Sequence, residues 1–158
     1  LIPFLEKENF RHPDEKLVAG AVETLKARSK TLADMAKASR FYFEDGLTFD
    51  QKAVEKFLKP EGLALMTEIK SRLEEAKVFA KEDLESVFAL FLAEKKIKLG
   101  DIAQPLRIAL TGSSVSPGLF EVMDVLGKER VLSRIERAIS FISPGDEACA
   151  RGERESQP

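Results

Sequence analysis

Apolar side chains recur along this chain every three or four residues, the interval that lines them up on one face of a helix. Leu17, Val18, Ala21, Val22 and Leu25 form the first such face. His12-Pro13 opens it, since proline is tolerated in a first turn where its missing N–H has no partner. Thr31 followed by Asp34 predicts a capped start for a helix running through Leu32, Met35 and Ala36 towards Phe43, broken at Asp45-Gly46. Thr48 and Gln51 read as the next capping box, ahead of Ala53, Val54, Phe57 and Leu58, with Pro60 as the stop. Leu63, Met66, Ile69 and Leu73 make a fourth face.

Residues 76–80 read as a joint. A fifth helix then carries Leu84, Val87, Phe88, Phe91 and Leu92, with Lys95, Lys96 and Lys98 at its end, where cations complement the helix dipole. Leu99-Gly100 turns the chain into a short helix holding Gln104 to Leu110, followed by Thr111-Gly112 and a polar loop. Ser116-Pro117 reads as the cap and first turn of a helix through Phe120 and Met123 to Leu126, which Gly127 ends. Leu132, Ile135, Ile139 and Ile142 mark a last helix, stopped by Ser143-Pro144-Gly145. The pattern predicts an all-α fold of two small helical bundles in tandem. A connecting segment at 1–11 is followed by bundles at 12–75 and 76–143. Residues 144–158, poor in apolar side chains, are expected to be a disordered tail.

Composition narrows the chemistry. The 158 residues suffice to bury a core, and 44% hydrophobic with 33% charged side chains is ordinary for a soluble helical protein. No apolar run approaches the roughly 18 residues a membrane span needs, and no signal peptide is visible. Cys149 and His12 stand alone as their types, which excludes an internal disulfide and a zinc-ligand set and suits the cytoplasm. Glu74-Glu75 and Glu82-Asp83 sit among lysines and read as solvated surface. There is no Gly-rich phosphate loop, dinucleotide fingerprint or metal motif. The chain by itself is expected to have no catalytic residue, metal or cofactor. A net charge of −2 requires any RNA contact to use a local basic surface.

The stretch from Lys98 to Leu119 stands apart: a proline within an apolar helix, a Thr-Gly stop and a polar loop ending Ser-Pro-Gly-Leu. Two readings stand side by side on physical grounds. In one, helix ends, loop and the five-donor fork of Arg107 present groups to splayed single-stranded RNA bases. In the other, Pro105 merely starts a short helix and Arg107 lies along its surface.

The same stretch carries a resemblance. Lys98-Leu99-Gly100-Asp101-Ile102-Ala103-Gln104-Pro105-Leu106-Arg107-Ile108-Ala109-Leu110-Thr111-Gly112 resembles the C-terminal anticodon-binding region of bacterial-type glutamyl-tRNA synthetases. Ser116-Pro117-Gly118-Leu119-Phe120-Glu121 and Leu126-Gly127-Lys128-Glu129-Arg130 continue it, as do Arg134, Ile135, Arg137 and Ala138. Arg28, Thr31 and Leu32 look like the family's Arg-x-x-Thr-Leu segment. The resemblance implies a class I ligase that joins glutamate to its tRNA through an adenylate made from ATP with Mg. Its catalytic domain and signature motifs lie upstream and are absent here. Two helical domains would grip the anticodon stem-loop of tRNA(Glu), in a monomer with no membrane contact.

Carried over residue by residue, the resemblance places Arg28 at the third anticodon base, where cytosine means glutamate and guanine means glutamine. It places Arg107 at the first. Gln104, Pro105, Leu106, Thr111, Ser116, Pro117 and Leu119 would shape the surrounding pocket, Ser116 standing where some members have threonine. Lys95, Lys96, Arg130, Arg134 and Arg137 are either phosphate contacts or ordinary solvated side chains. The alternatives are the same region of a non-discriminating synthetase, and a helical module whose groove takes a partner helix.

Overall fold

The computed structural model describes residues 1–10 and 14–142. The expected helix opening at His12-Pro13 and the expected tail at 144–158 fall outside them. The described residues form ten helices and no strand. None of these helices is long and apolar enough to cross a membrane.

The N-terminal residues, expected as a connecting segment, include a helix, α1 (Ile2–Lys7). Leu5 is fully buried there in a small cluster with Val18 and Ala36, which docks α1 on the helices that follow. α2 (Glu15–Leu25) starts where the Asp14 carboxylate accepts the Lys16 N–H, and it buries Leu17, Val18, Ala21 and Leu25. α3 (Leu32–Ala38) has the expected start: Thr31 Oγ1 accepts the Asp34 N–H at 3.1 Å and donates to the Asp34 carboxylate at 2.8 Å. The helix does not run on to Phe43. The wholly buried Ser39 donates to the Ala36 carbonyl and separates α3 from the single turn α4 (Arg40–Phe43).

Two further starts differ from expectation. α5 (Gln51–Phe57) is capped by Asp50, whose carboxylate accepts from Lys52 and Ala53, rather than by Thr48. A charged acceptor at the positive end of a helix outcompetes a hydroxyl two residues earlier. Pro60 is the first residue of α6 (Pro60–Glu75) rather than a stop, which α5 reaches by Phe57. Its fixed φ and missing N–H suit a first turn.

Past an extended Ala76, α7 (Lys81–Lys95) buries Leu84, Phe88 and Phe91 and ends on Lys96 in the left-handed conformation. α8 (Leu99–Thr111) is longer than expected: Leu99-Gly100 is its first turn, because Asp101 accepts the Lys98 N–H. α9 (Leu119–Leu126) and α10 (Lys128–Ile142) meet at Gly127, as expected of that glycine. α9 starts after Gly118, since Ser116 turns its hydroxyl to the Pro117 carbonyl instead of capping.

α6, α8 and α10 pack most extensively on one another, and α9 bridges α2 and α7. Met66, Ile69 and Leu73 meet Leu84, Phe88, Ile102, Leu106, Met123 and Ile135 in a cluster that also takes in Leu17, Ala21 and Tyr42. Side chains from both sides of the 76–80 connection thus share one core. At roughly 1.5–3 kcal/mol for each large side chain withdrawn from water, that core is the main source of stability and the rigid floor under the end of α8.

Candidate nucleic-acid interface

α8 ends in a tightly tied reversal. Thr111 Oγ1 lies 2.8 Å from the Arg107 carbonyl and 3.0 Å from that of Ser113, and accepts the Ser113 N–H. Gly112 follows with φ +78°, the left-handed region that glycine tolerates without strain. Its carbonyl accepts the Asp50 N–H at 2.8 Å, while the Thr48 carbonyl lies 2.5 Å from where a Cβ would stand. The segment before α5 is thereby pressed against the helix end. Beyond it, Ser113 Oγ accepts the Val115 N–H and Ser116 donates to the Pro117 carbonyl, so the loop's own serines hold its shape.

This loop faces the turn after α2 across a pocket of about 450 Å³. Arg28, Thr111, Ser116 and Pro117, far apart in the chain, all line it. Arg28 is exposed and joins no ion pair among the described residues. Leu25 and Phe41 supply apolar wall, and Val115, 77% exposed, stands at the rim.

The other candidates divide in two. Leu106 and Leu119 are buried, as is Pro105, which lies beside Gly62 of α6. They support the loop from beneath. Arg107 and Gln104 are partly exposed and lie one and two turns back from Thr111 along the same stripe of α8. They do not line the pocket. Within this stripe Gln104 Oε1 and Arg107 Nε are buried without a hydrogen-bond partner. Leaving such a group unsatisfied costs about 1–3 kcal/mol.

Two arginines weighed as phosphate contacts serve the fold. Arg134, 7% exposed, donates to the carbonyls of Leu110 at 2.6 Å and Glu44 at 2.9 Å. Burial pushes its pKa down to about 10, still well above neutral pH, so the guanidinium stays charged and two carbonyl dipoles offset its lost hydration. Arg130 donates to the Tyr42 carbonyl. Lys95 pairs with Glu68, and Arg137 lies over the Phe49 ring.

The family model described as the anticodon binding domain matches residues 1–139. The chain belongs to that family. This anticodon binding domain is 41% identical over 145 residues to a glutamate–tRNA ligase of Geotalea uraniireducens, covering 92% of the chain and 31% of that relative. It is 41% identical over 138 residues to a glutamate–tRNA ligase of Thermus thermophilus, covering 87% of the chain and 29% of the relative. A crystal structure of a glutamate tRNA ligase from Elizabethkingia meningosepticum superposes with a TM-score of 0.79 at 28% identity, over 89% of this chain and 28% of that one. The chain thus spans about a third of the length of the curated relatives it matches.

Sequence reasoning missed Leu25, Phe41 and Val115 as pocket residues of the anticodon binding domain. Leu25 read only as an apolar position of a helix, and no local signal separates a side chain lining a pocket from one filling a core.

Proposed function

We propose that this anticodon binding domain is the tRNA-reading end of a glutamate–tRNA ligase, taking the anticodon loop of tRNA(Glu) against the exit of α8. The observation that carries the reading is the pocket at the exit of α8, which brings Arg28 together with Thr111, Ser116 and Pro117 while Gln104 and Arg107 stand partly exposed on the adjoining stripe of the helix. A helix groove built for an apolar partner has no use for such groups, whereas base edges offer both donors and acceptors. Arg107 is assigned to the first anticodon base and Arg28 to the third. Thr111, Ser116 and Pro117 form the pocket wall over the buried Pro105, Leu106 and Leu119. The parent ligase would use ATP with Mg in its upstream domains and act as a cytoplasmic monomer.

Binding of a tRNA(Glu) anticodon stem-loop to the chain, followed by fluorescence anisotropy, tests this. Arg107→Ala should cost about 1–3 kcal/mol, the worth of a good base contact. Affinity should also fall as salt rises, through the phosphates. In the parent ligase, Arg28→Gln should relax rejection of the glutamine anticodon, because an amide can donate to or accept from either base. Unchanged affinity in Arg107→Ala would remove the reading, and unchanged discrimination in Arg28→Gln would remove that residue's role.

A further inference from the structure

The pocket beside Arg28 does not end at its own wall. A second cavity, of about 360 Å³, adjoins it, and Ala38, Phe41 and Thr111 line both. Two cavities with three lining residues in common lie side by side as the two halves of one surface groove. Its far half is walled by Lys37, Arg40, Glu44 and Thr48.

Resting on the tRNA reading above, we infer that this far half is a second nucleotide subsite, in which Phe41 stacks a neighbouring base of the same RNA strand and Lys37 meets its phosphate. The Phe41 ring, partly exposed, lies against the buried Tyr42 ring at 4.2 Å between centroids, which limits its freedom and presets a flat apolar surface. Every base has a π face, so an aromatic platform suits single-stranded RNA whatever its sequence. The charges agree with this. Arg40 is engaged by Glu44 at 2.9 Å and by Glu8 at 3.6 Å, which consumes much of its field. Lys37 is exposed and joins no ion pair among the described residues, so it is the cation of this wall with its charge still available. The wall is also fixed in place. Ser39 buries the kink between α3 and α4, and Arg134 holds the Glu44 carbonyl from below.

The test uses the whole chain and a tRNA(Glu) anticodon stem-loop carrying a fluorescent adenine analogue at single loop positions. One position should be quenched on binding. Phe41→Leu, which keeps apolar bulk and loses the flat ring, should abolish that quenching and weaken binding about fivefold or more. Lys37→Gln should lower the slope of log affinity against log salt by about 0.7, the release of one counterion from a single strand. Lys37 is exposed and unpaired, so its variant decides the matter even if Phe41→Leu lowers the melting temperature. If the unmodified chain fails to bind the stem-loop, the tRNA reading falls and the subsite with it. If it binds, Arg107→Ala weakens it, and both Phe41→Leu and Lys37→Gln leave quenching, affinity and salt slope unchanged, the tRNA reading stands and the second subsite is wrong.

Discussion

Gly112→Ala is the sharpest probe of how the end of α8 is built. Two costs add at this position. A side chain at φ +78° pays about 1–2 kcal/mol for the left-handed conformation. Its Cβ would also stand 2.5 Å from the Thr48 carbonyl oxygen, a backbone atom that cannot rotate aside. Thr48 must then retreat. The Asp50 N–H to Gly112 carbonyl bond moves with it, at a net loss of about 1 kcal/mol. The sum is about 2–3 kcal/mol, a drop of about 1–1.5 M in urea midpoint for a slope near 2 kcal/mol/M. Gly100→Ala is the matched control: it lies in the first turn of the same helix, with open space around it. It should be neutral or stabilising by up to about 1 kcal/mol, from alanine's helix propensity. Urea unfolding followed by circular dichroism measures both. A Gly112→Ala midpoint indistinguishable from that of Gly100→Ala would show that the reversal is not pinned as described.

Gly20→Ala should cost about 1–2 kcal/mol, because a Cβ there meets the Val125 methyls at 2.6 and 2.8 Å. Val125→Ala in the same chain should recover part of that loss, and strictly additive costs in the double-mutant cycle would rule out the contact. Tyr42, the lone tyrosine in a chain without tryptophan, allows a clean alkaline titration. Burial raises its pKa to about 12, against an opposing hydrogen bond from Thr24. An acid whose pKa is raised by folding adds stability that is complete below its ordinary value of 10.0 and drains away as pH climbs to about 12. That loss is about 3 kcal/mol. Phenolate absorbance should therefore appear above pH 10 together with loss of helix, and ionisation near 10 with the helices intact would contradict the burial.

Much of the fold was legible because helices announce themselves locally. The Thr31–Asp34 cap is written within one turn of sequence, and the stripes at Met66, Ile69 and Leu73 or at Leu84, Phe88 and Phe91 are buried where their spacing put them. Starts failed where two residues competed for one role. Asp50 displaced Thr48, Gly118 displaced Ser116, and Pro60, expected only as the stop of one helix, opened the next. The candidate site was legible only through resemblance, since its pocket unites Arg28 with Thr111 and Ser116 across most of the chain. Arg134 was out of reach for the same reason. Its acceptors lie 24 and 90 residues away, and nothing beside it distinguishes a buried guanidinium from a solvated one.

Those long separations bear on the order in which the molecule is made. Synthesis releases the chain N-terminus first, so α4 leaves the ribosome well before α10 exists. Until Arg130 and Arg134 emerge, the carbonyls of Tyr42 and Glu44 lack these donors, and the wall carrying Phe41 is held by bonds among the early helices alone, such as Ser39 to Ala36 and Arg40 to Glu44. The groove is therefore finished by the last described helix to be translated. A chain cut just before Lys128 would keep every residue that lines the groove and lose the guanidinium groups that tie its wall to the rest of the core.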